Sequence, residues 1–340
     1  MIGLDPILEA DAVIQAESPA LWAALSPLGR RARQPAAFLP LQTAEARGKT
    51  FNATIGQITH GHGRAVPLPS MAAALAGLDL AERSRAFLYS PVEGLPELRQ
   101  RWREWQRRDQ GDERPSTLPL VTVGTAHARH LAAAMLVTEG RTVVTYEPCR
   151  PEDRDLFEVL LGARLRPVPF HDGRFDPTAT VRALGDLPDG EPAVVLLRVP
   201  DDGGYIPKYR EKMAFCRALA EGAARRPIVV LVDDTWEVPD VPSGSLFWPL
   251  HGCHPNIVPV KLDGADGHLG FPGGRVGFLT FPFAPESGIA KALESKVKML
   301  LRAELGSPSA AGQMVVLRGL GITAATPPTA PAGPWTRPGT

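Results

Sequence analysis

The sequence predicts an α/β fold with a mostly parallel sheet between helices, and three observations carry that prediction. Short apolar runs recur from about Leu118 onward, helical stretches separate them, and the runs are apolar throughout rather than alternating. Uninterrupted apolar runs suit strands covered on both faces. Strand–helix repeats of this size suit a parallel sheet.

In chain order, residues 1–50 are Ala- and Pro-rich and read as an N-terminal arm. Leu95–Asp109 is an amphipathic helix with Leu98, Trp102 and Trp105 on one face. Strands are expected at Leu120–Val123, Thr142–Tyr146, Val194–Arg198, Ile228–Val232, Ile257–Leu262 and Val276–Thr280. Helices are expected at Ala126–Thr138, Glu152–Leu161, Lys208–Ala224 and Pro285–Leu305. Residues 51–320 then form one large domain, and the Pro/Ala/Thr-rich tail 321–340 reads as disordered. Ligands of such sheets collect at the carboxyl ends of strands, which directs attention to the loops after Val123, Tyr146, Arg198, Val232 and Leu262.

Composition excludes several classes. Lys+Arg and Asp+Glu are 37 each, so the chain lacks the basic excess of a nucleic-acid or anionic-membrane protein. Cys149, Cys216 and Cys253 are an odd, scattered set that suits reduced thiols better than a disulfide framework. The N-terminus carries acids where a signal peptide needs Lys or Arg, and no apolar run approaches ~20 residues. The expectation is a soluble cytoplasmic protein with a small-molecule substrate.

Two motifs stand at strand ends. VTVGTAHARHLAAAM places Gly124 after a strand and Thr125, Ala126 and His127 at the start of a helix, where free amides and the dipole favour an anion. An ordinary strand–helix turn has the same pattern. VVLVDDTWE puts Asp233 and Asp234 where a carboxylate holds a ligand nitrogen or a metal, or merely caps a turn. The sets His60/His62, His127/His130 and His251/Cys253/His254 lack a zinc-like spacing of further ligands, so no metal site is expected.

FNATIG (51–56), LYSPVEGLPELRQRW (88–102), LPLVTVGTAH (118–127), VDDTWE (232–237) and VKLDGADGHLGFPGGRVGFLTF (260–281) resemble the class I aminotransferases of fold type I, which use pyridoxal phosphate (PLP). The resemblance covers roughly residues 50–320 and implies the family's large domain. It also implies a homodimer in which Tyr89, on the 88–94 loop, reaches across the interface. Asp233 matches the family's partner for the pyridine nitrogen, and Arg275 a phosphate ligand. Gly124, with Thr125 and Ala126, matches the phosphate-binding turn.

Departures from the pattern bear on function. Matched without a gap, GADGHLGFPGGR puts Gly267 where the family has its Schiff-base lysine, Asp266 on the preceding hydroxyl residue and His268 on the following Glu. Lys261 matches a separate family lysine. Arg150 replaces the ring-stacking aromatic, Trp236 a tyrosine, and Asp202 (or Asp201) an asparagine. A carboxylate ~4 Å from a phosphate charge costs about 4 kcal/mol at an effective dielectric near 20. From these departures no cofactor is expected, or at most weak non-covalent PLP. The chain also reads as lacking the family's C-terminal small domain.

Three readings remain open. The charged replacements favour a repurposed, PLP-independent enzyme running acid–base chemistry, a condensation or cyclisation, on a small anionic metabolite. Asp266, His268 and Asp202 would be catalytic, and Arg150 and Arg275 would bind the substrate's anionic groups. The missing lid favours a pseudoenzyme acting as a binding or scaffold subunit. A third reading keeps PLP or its amine form bound without a covalent link.

Overall fold

The computed structural model describes residues 6–32, 44–46, 49, 59–60, 64–108, 114–169, 176–199, 206–236 and 245–325. Its strands are β1 (Thr59–His60), β2 (Arg64–Ala65), β3 (Leu120–Val123), β4 (Thr142–Tyr146), β5 (Arg164–Val168), β6 (Ala193–Arg198), β7 (Ile228–Asp233), β8 (Ile257–Gly264) and β9 (Val276–Thr280). The fold is mixed α/β with a mostly parallel central sheet. Among the described residues, no helix is long and apolar enough to cross a membrane. The chain divides into two compact units: Met1–Gln57 with Ala132–Val232 and Pro249–Pro259, and Ile58–Leu131 with Asp233–Trp248 and Val260–Thr340.

In the first unit the strand order is β7–β6–β4–β5. β4 pairs in parallel with both neighbours, Val143 opposite Val194 and Thr142 opposite Arg164. Ala193–Leu197 are buried throughout, as an unbroken apolar run requires. β5 escapes a reading by apolar runs because RLRPV interleaves arginine with apolar residues. Its Pro167 lacks an N–H donor, which is tolerated because β5 ends the strand order. One helix was expected over Glu152–Leu161. Instead Pro151–Arg154 runs into a π-helical segment, Asp155–Leu160, that keeps Leu156 and Phe157 buried.

In the second unit β3, β9 and β8 lie in that order and are antiparallel. The reason is the connection. Residues 265–275 join β8 to β9, and a parallel return needs about a dozen or more, usually a helix. The helix Pro96–Arg107 buries Leu98 and Trp102, as its period predicts. Trp102 stacks on Phe278 of β9 with ring centroids 4.1 Å apart. Its indole N–H donates to Asp263 Oδ1 of β8 at 3.1 Å, so a large apolar group is buried without stranding its one donor. Met71, Leu98, Val121, Phe278, Val316 and Leu320 complete this core with the helices Pro69–Ala76 and Ala310–Ala325.

Candidate functional site

The antiparallel register brings the site together. Val123, the last residue of β3, lies opposite Val276, the first of β9, and Gly264, the last of β8, lies opposite Gly277. The segment entering β9 therefore arrives beside the segments leaving β3 and β8. Gly124, Thr125, Asp266 and Arg275 meet there.

Gly124 opens the helix Gly124–Leu136 at φ +75°, and a Cβ on it would sit 2.6 Å from Arg275 Nη2. Glycine permits both the turn and the close approach of the guanidinium. Arg275 is exposed, adopts left-handed φ 50° and ψ 50°, and donates from Nη2 to the Val123 carbonyl at 3.3 Å. Left-handed geometry costs a non-glycine residue about 1–2 kcal/mol, and here it delivers a cation to a helix start. Ala126 lies exposed in the same first turn.

Thr125 is buried, and its hydroxyl donates to Asp266 Oδ1 at 3.3 Å. Burial pushes the Asp266 carboxyl above the usual carboxylate range. A backbone hydrogen bond, Arg275 and Thr125 pull it back down, while nearby Asp233 adds to the rise. Asp233 itself ends β7 and is 1% exposed. Arg129 Nη1 donates to its Oδ2 at 3.2 Å, and the Thr235 amide and hydroxyl donate to its Oδ1 at 3.2 and 2.5 Å. Arg129 and Thr235 went unnoticed in the sequence, although an arginine among Ala128, Leu131, Ala132 and Ala133 was a readable signal of a buried cation.

Other candidates are placed differently. His268 is 5% exposed. Its Nε2 faces the Asp234 carbonyl at 3.1 Å and its Nδ1 faces the Trp105 indole N–H at 3.5 Å. A carbonyl only accepts and an indole only donates, which suits a ring with its proton on Nε2. Trp236 is half-buried in the turn after Thr235. A Cβ on Gly267 would fall 1.6 Å from the Thr235 carbonyl oxygen. Lys261 is 1% exposed and bonded to Asp234 Oδ2, with Asp263 Oδ2 at 3.8 Å. Tyr89 is 97% exposed on its loop. Arg150 is half-buried in the first unit, just before the helix Pro151–Arg154. Asp202 and Asp201 lie outside the described residues. His127 and His130 both face Glu304, at 2.7 and 3.2 Å. Among the described residues no group of three or more His, Cys, Asp or Glu could hold a metal ion.

A sequence profile for aminotransferase class I and II matches residues 49–320. The chain belongs to the class I and II aminotransferase family. Solved structures agree on the fold. An aminotransferase from Anaerococcus prevotii superposes with a TM-score of 0.70 at 18% identity, covering 82% of this chain and 70% of that one. A double mutant of Thermus thermophilus aspartate aminotransferase gives 0.64 at 19%, covering 89% and 74%. N-succinyldiaminopimelate aminotransferase from Mycobacterium tuberculosis gives 0.64 at 20%, covering 84% and 70%. No curated protein matches the chain.

Membership in this aminotransferase family corrects one expectation. Its members use PLP, so the family points to a PLP cofactor, and the expectation of none falls. That expectation counted Asp266 as a full negative charge, whereas burial pushes its carboxyl above the usual carboxylate range and so weakens the objection to a phosphate. The residues present fit the group: a helix start, a hydroxyl and a guanidinium suit a phosphate, and the buried Asp233 suits a ring nitrogen.

Proposed function

We propose that this aminotransferase-family chain binds PLP, or its amine form, without a covalent link, and acts as a homodimer on a small-molecule substrate. The observation that carries the reading is the convergence of Gly124, Thr125, Asp266 and Arg275 at one helix start. When bound, the cofactor supplies an electron sink for bonds at the carbon bearing a substrate amine. The chain's own residues do the holding. The first-turn amides and the Arg275 guanidinium would bind the phosphate, with Thr125 held on Asp266 beside it. Asp233, oriented by Arg129 and Thr235, would hold the ring nitrogen, with Trp236 as a candidate neighbour of the ring.

Gly267, in the position matched to the Schiff-base lysine, offers no amine. Lys261 is a poor substitute, being buried and bonded to Asp234 on the strand face it shares with Asp263. His268 is held between the Asp234 carbonyl and Trp105, which weighs against its use as the base of the acid–base reading. Exposed Leu80, Phe87, Leu88 and Tyr89 support a second copy covering that surface.

Equilibrium dialysis of the purified chain with PLP tests this reading. Saturable binding is expected, with a gain in stability of about 2.7 kcal/mol at a hundredfold excess over Kd. Arg275→Gln removes a charge-assisted bond of about 1.5–3 kcal/mol and should weaken binding roughly ten- to hundredfold. Absence of saturable binding to the unmodified chain overturns the reading.

A further inference from the structure

The position next to the helix start carries a carboxyl where charge logic asks for a neutral donor. Asp266 lies on the single turn Ala265–His268, with Oδ1 3.3 Å from Thr125 Oγ1. A Cβ on Gly264 would sit 2.5 Å from that carboxyl oxygen and 2.6 Å from the threonine oxygen. The glycine thus lets two oxygens close over the end of β8, in the place the proposed function gives to a phosphate. Arg275 supplies one positive charge there and the helix start a partial one.

We propose that Asp266 holds the cofactor's phosphate as a neutral carboxylic acid, donating a hydrogen bond to it, so that cofactor affinity falls as pH rises. The inference rests on the cofactor reading above. No proton is consumed in chemistry: the acid keeps its O–H and shares it with a phosphate oxygen.

The charged groups around Asp266 set the direction. Arg275, from the segment entering β9, favours the ionised form, and Asp233, at the end of β7, disfavours it. Arg129 on the helix Gly124–Leu136 faces Asp233. His268 on the same turn faces the Asp234 carbonyl, and Lys261 faces Asp234. Burial is the largest influence and raises the carboxyl, which shifts it toward the neutral form. A bound dianion raises it further, because ionising the acid beside the phosphate adds like charge. Affinity is therefore full below the pKa of the unliganded carboxyl and is lost above it by about tenfold per pH unit, as the acid must be reprotonated to bind.

The test measures PLP affinity by equilibrium dialysis from about pH 6.5 to pH 9, where a phosphate monoester is already mostly the dianion. It uses the unmodified chain, Asp266→Asn and Asp266→Ser. Both variants are neutral donors, so either one alone serves if the other misfolds. The ratio of variant to unmodified affinity should climb by about tenfold per pH unit at the alkaline end. The ratio cancels any titration of the ligand itself. A ratio that stays flat while all three proteins bind overturns the inference and leaves the cofactor reading standing. No binding by any of the three at any pH overturns the cofactor reading itself.

Discussion

Lys261→Met should cost about 3–5 kcal/mol of folding stability, a large part of the ~5–15 kcal/mol that holds a typical domain together. The reason is what the lysine leaves behind. Asp234 and Asp263 are both 0% exposed, and the ammonium is bonded to the first and 3.8 Å from the second. Neutral donors remain for each: Ser245 on Asp234, and the Trp102 indole and Gln106 amide on Asp263. These do not cancel two buried negative charges. Urea denaturation followed by circular dichroism measures the loss. Adding Asp234→Asn to Lys261→Met should recover part of it, since one of the two buried charges is then gone. A loss under about 1 kcal/mol, the scale of an exposed pair, would show that the trio is solvated.

Gly267→Lys should give no covalently bound cofactor and should destabilise the fold. Any side chain there begins with a Cβ 1.6 Å from the Thr235 carbonyl oxygen and 2.7 Å from its carbon. The obstacle is backbone and cannot swing aside. Thr235 is tied through its amide and hydroxyl to Asp233, which Arg129 also grips, and His268 holds the neighbouring Asp234 carbonyl. Overpacking of this kind typically costs about 1–3 kcal/mol and sometimes more. Gly267→Ala separates sterics from chemistry and should lose a similar amount, read by the same denaturation curves. If Gly267→Lys is as stable as the parent and forms a reducible adduct with PLP, the turn yields more easily than its hydrogen bonds indicate.

These two sites show how much was legible in the chain. The strands Leu120–Val123, Thr142–Tyr146 and Val276–Thr280 follow from their apolar runs, because burial on both faces leaves little choice of residue. Gly124 was readable as a turn before a helix, since few other residues tolerate its φ. Strand direction was less visible. β8 and β9 read like parallel strands because their apolar residues answer to burial, and only the short 265–275 connection betrays the antiparallel return. Arg129 and Thr235 were missed because their partner, Asp233, is distant in sequence from Arg129 and the pairing exists only in the folded chain. His268 carried a titratable side chain in a glycine-rich stretch and so invited a chemical role. Its neighbours, Trp105 and the Asp234 carbonyl, come from other elements and could not be read from that stretch. Asp266 was given its charge from residue type, whereas the burial that pushes its carboxyl up exists only in the folded chain.

The central claim is a cofactor held by Gly124, Thr125, Arg275 and Asp233 without a covalent bond to any lysine. Intact mass of the PLP-loaded chain, before and after borohydride reduction, tests it most directly. Under native conditions the mass of one cofactor per chain should be present. After reduction and denaturation it should be gone, with every lysine-containing peptide unmodified. A cofactor mass that survives denaturation after reduction, mapped to Lys261 or any other single lysine, would contradict the account.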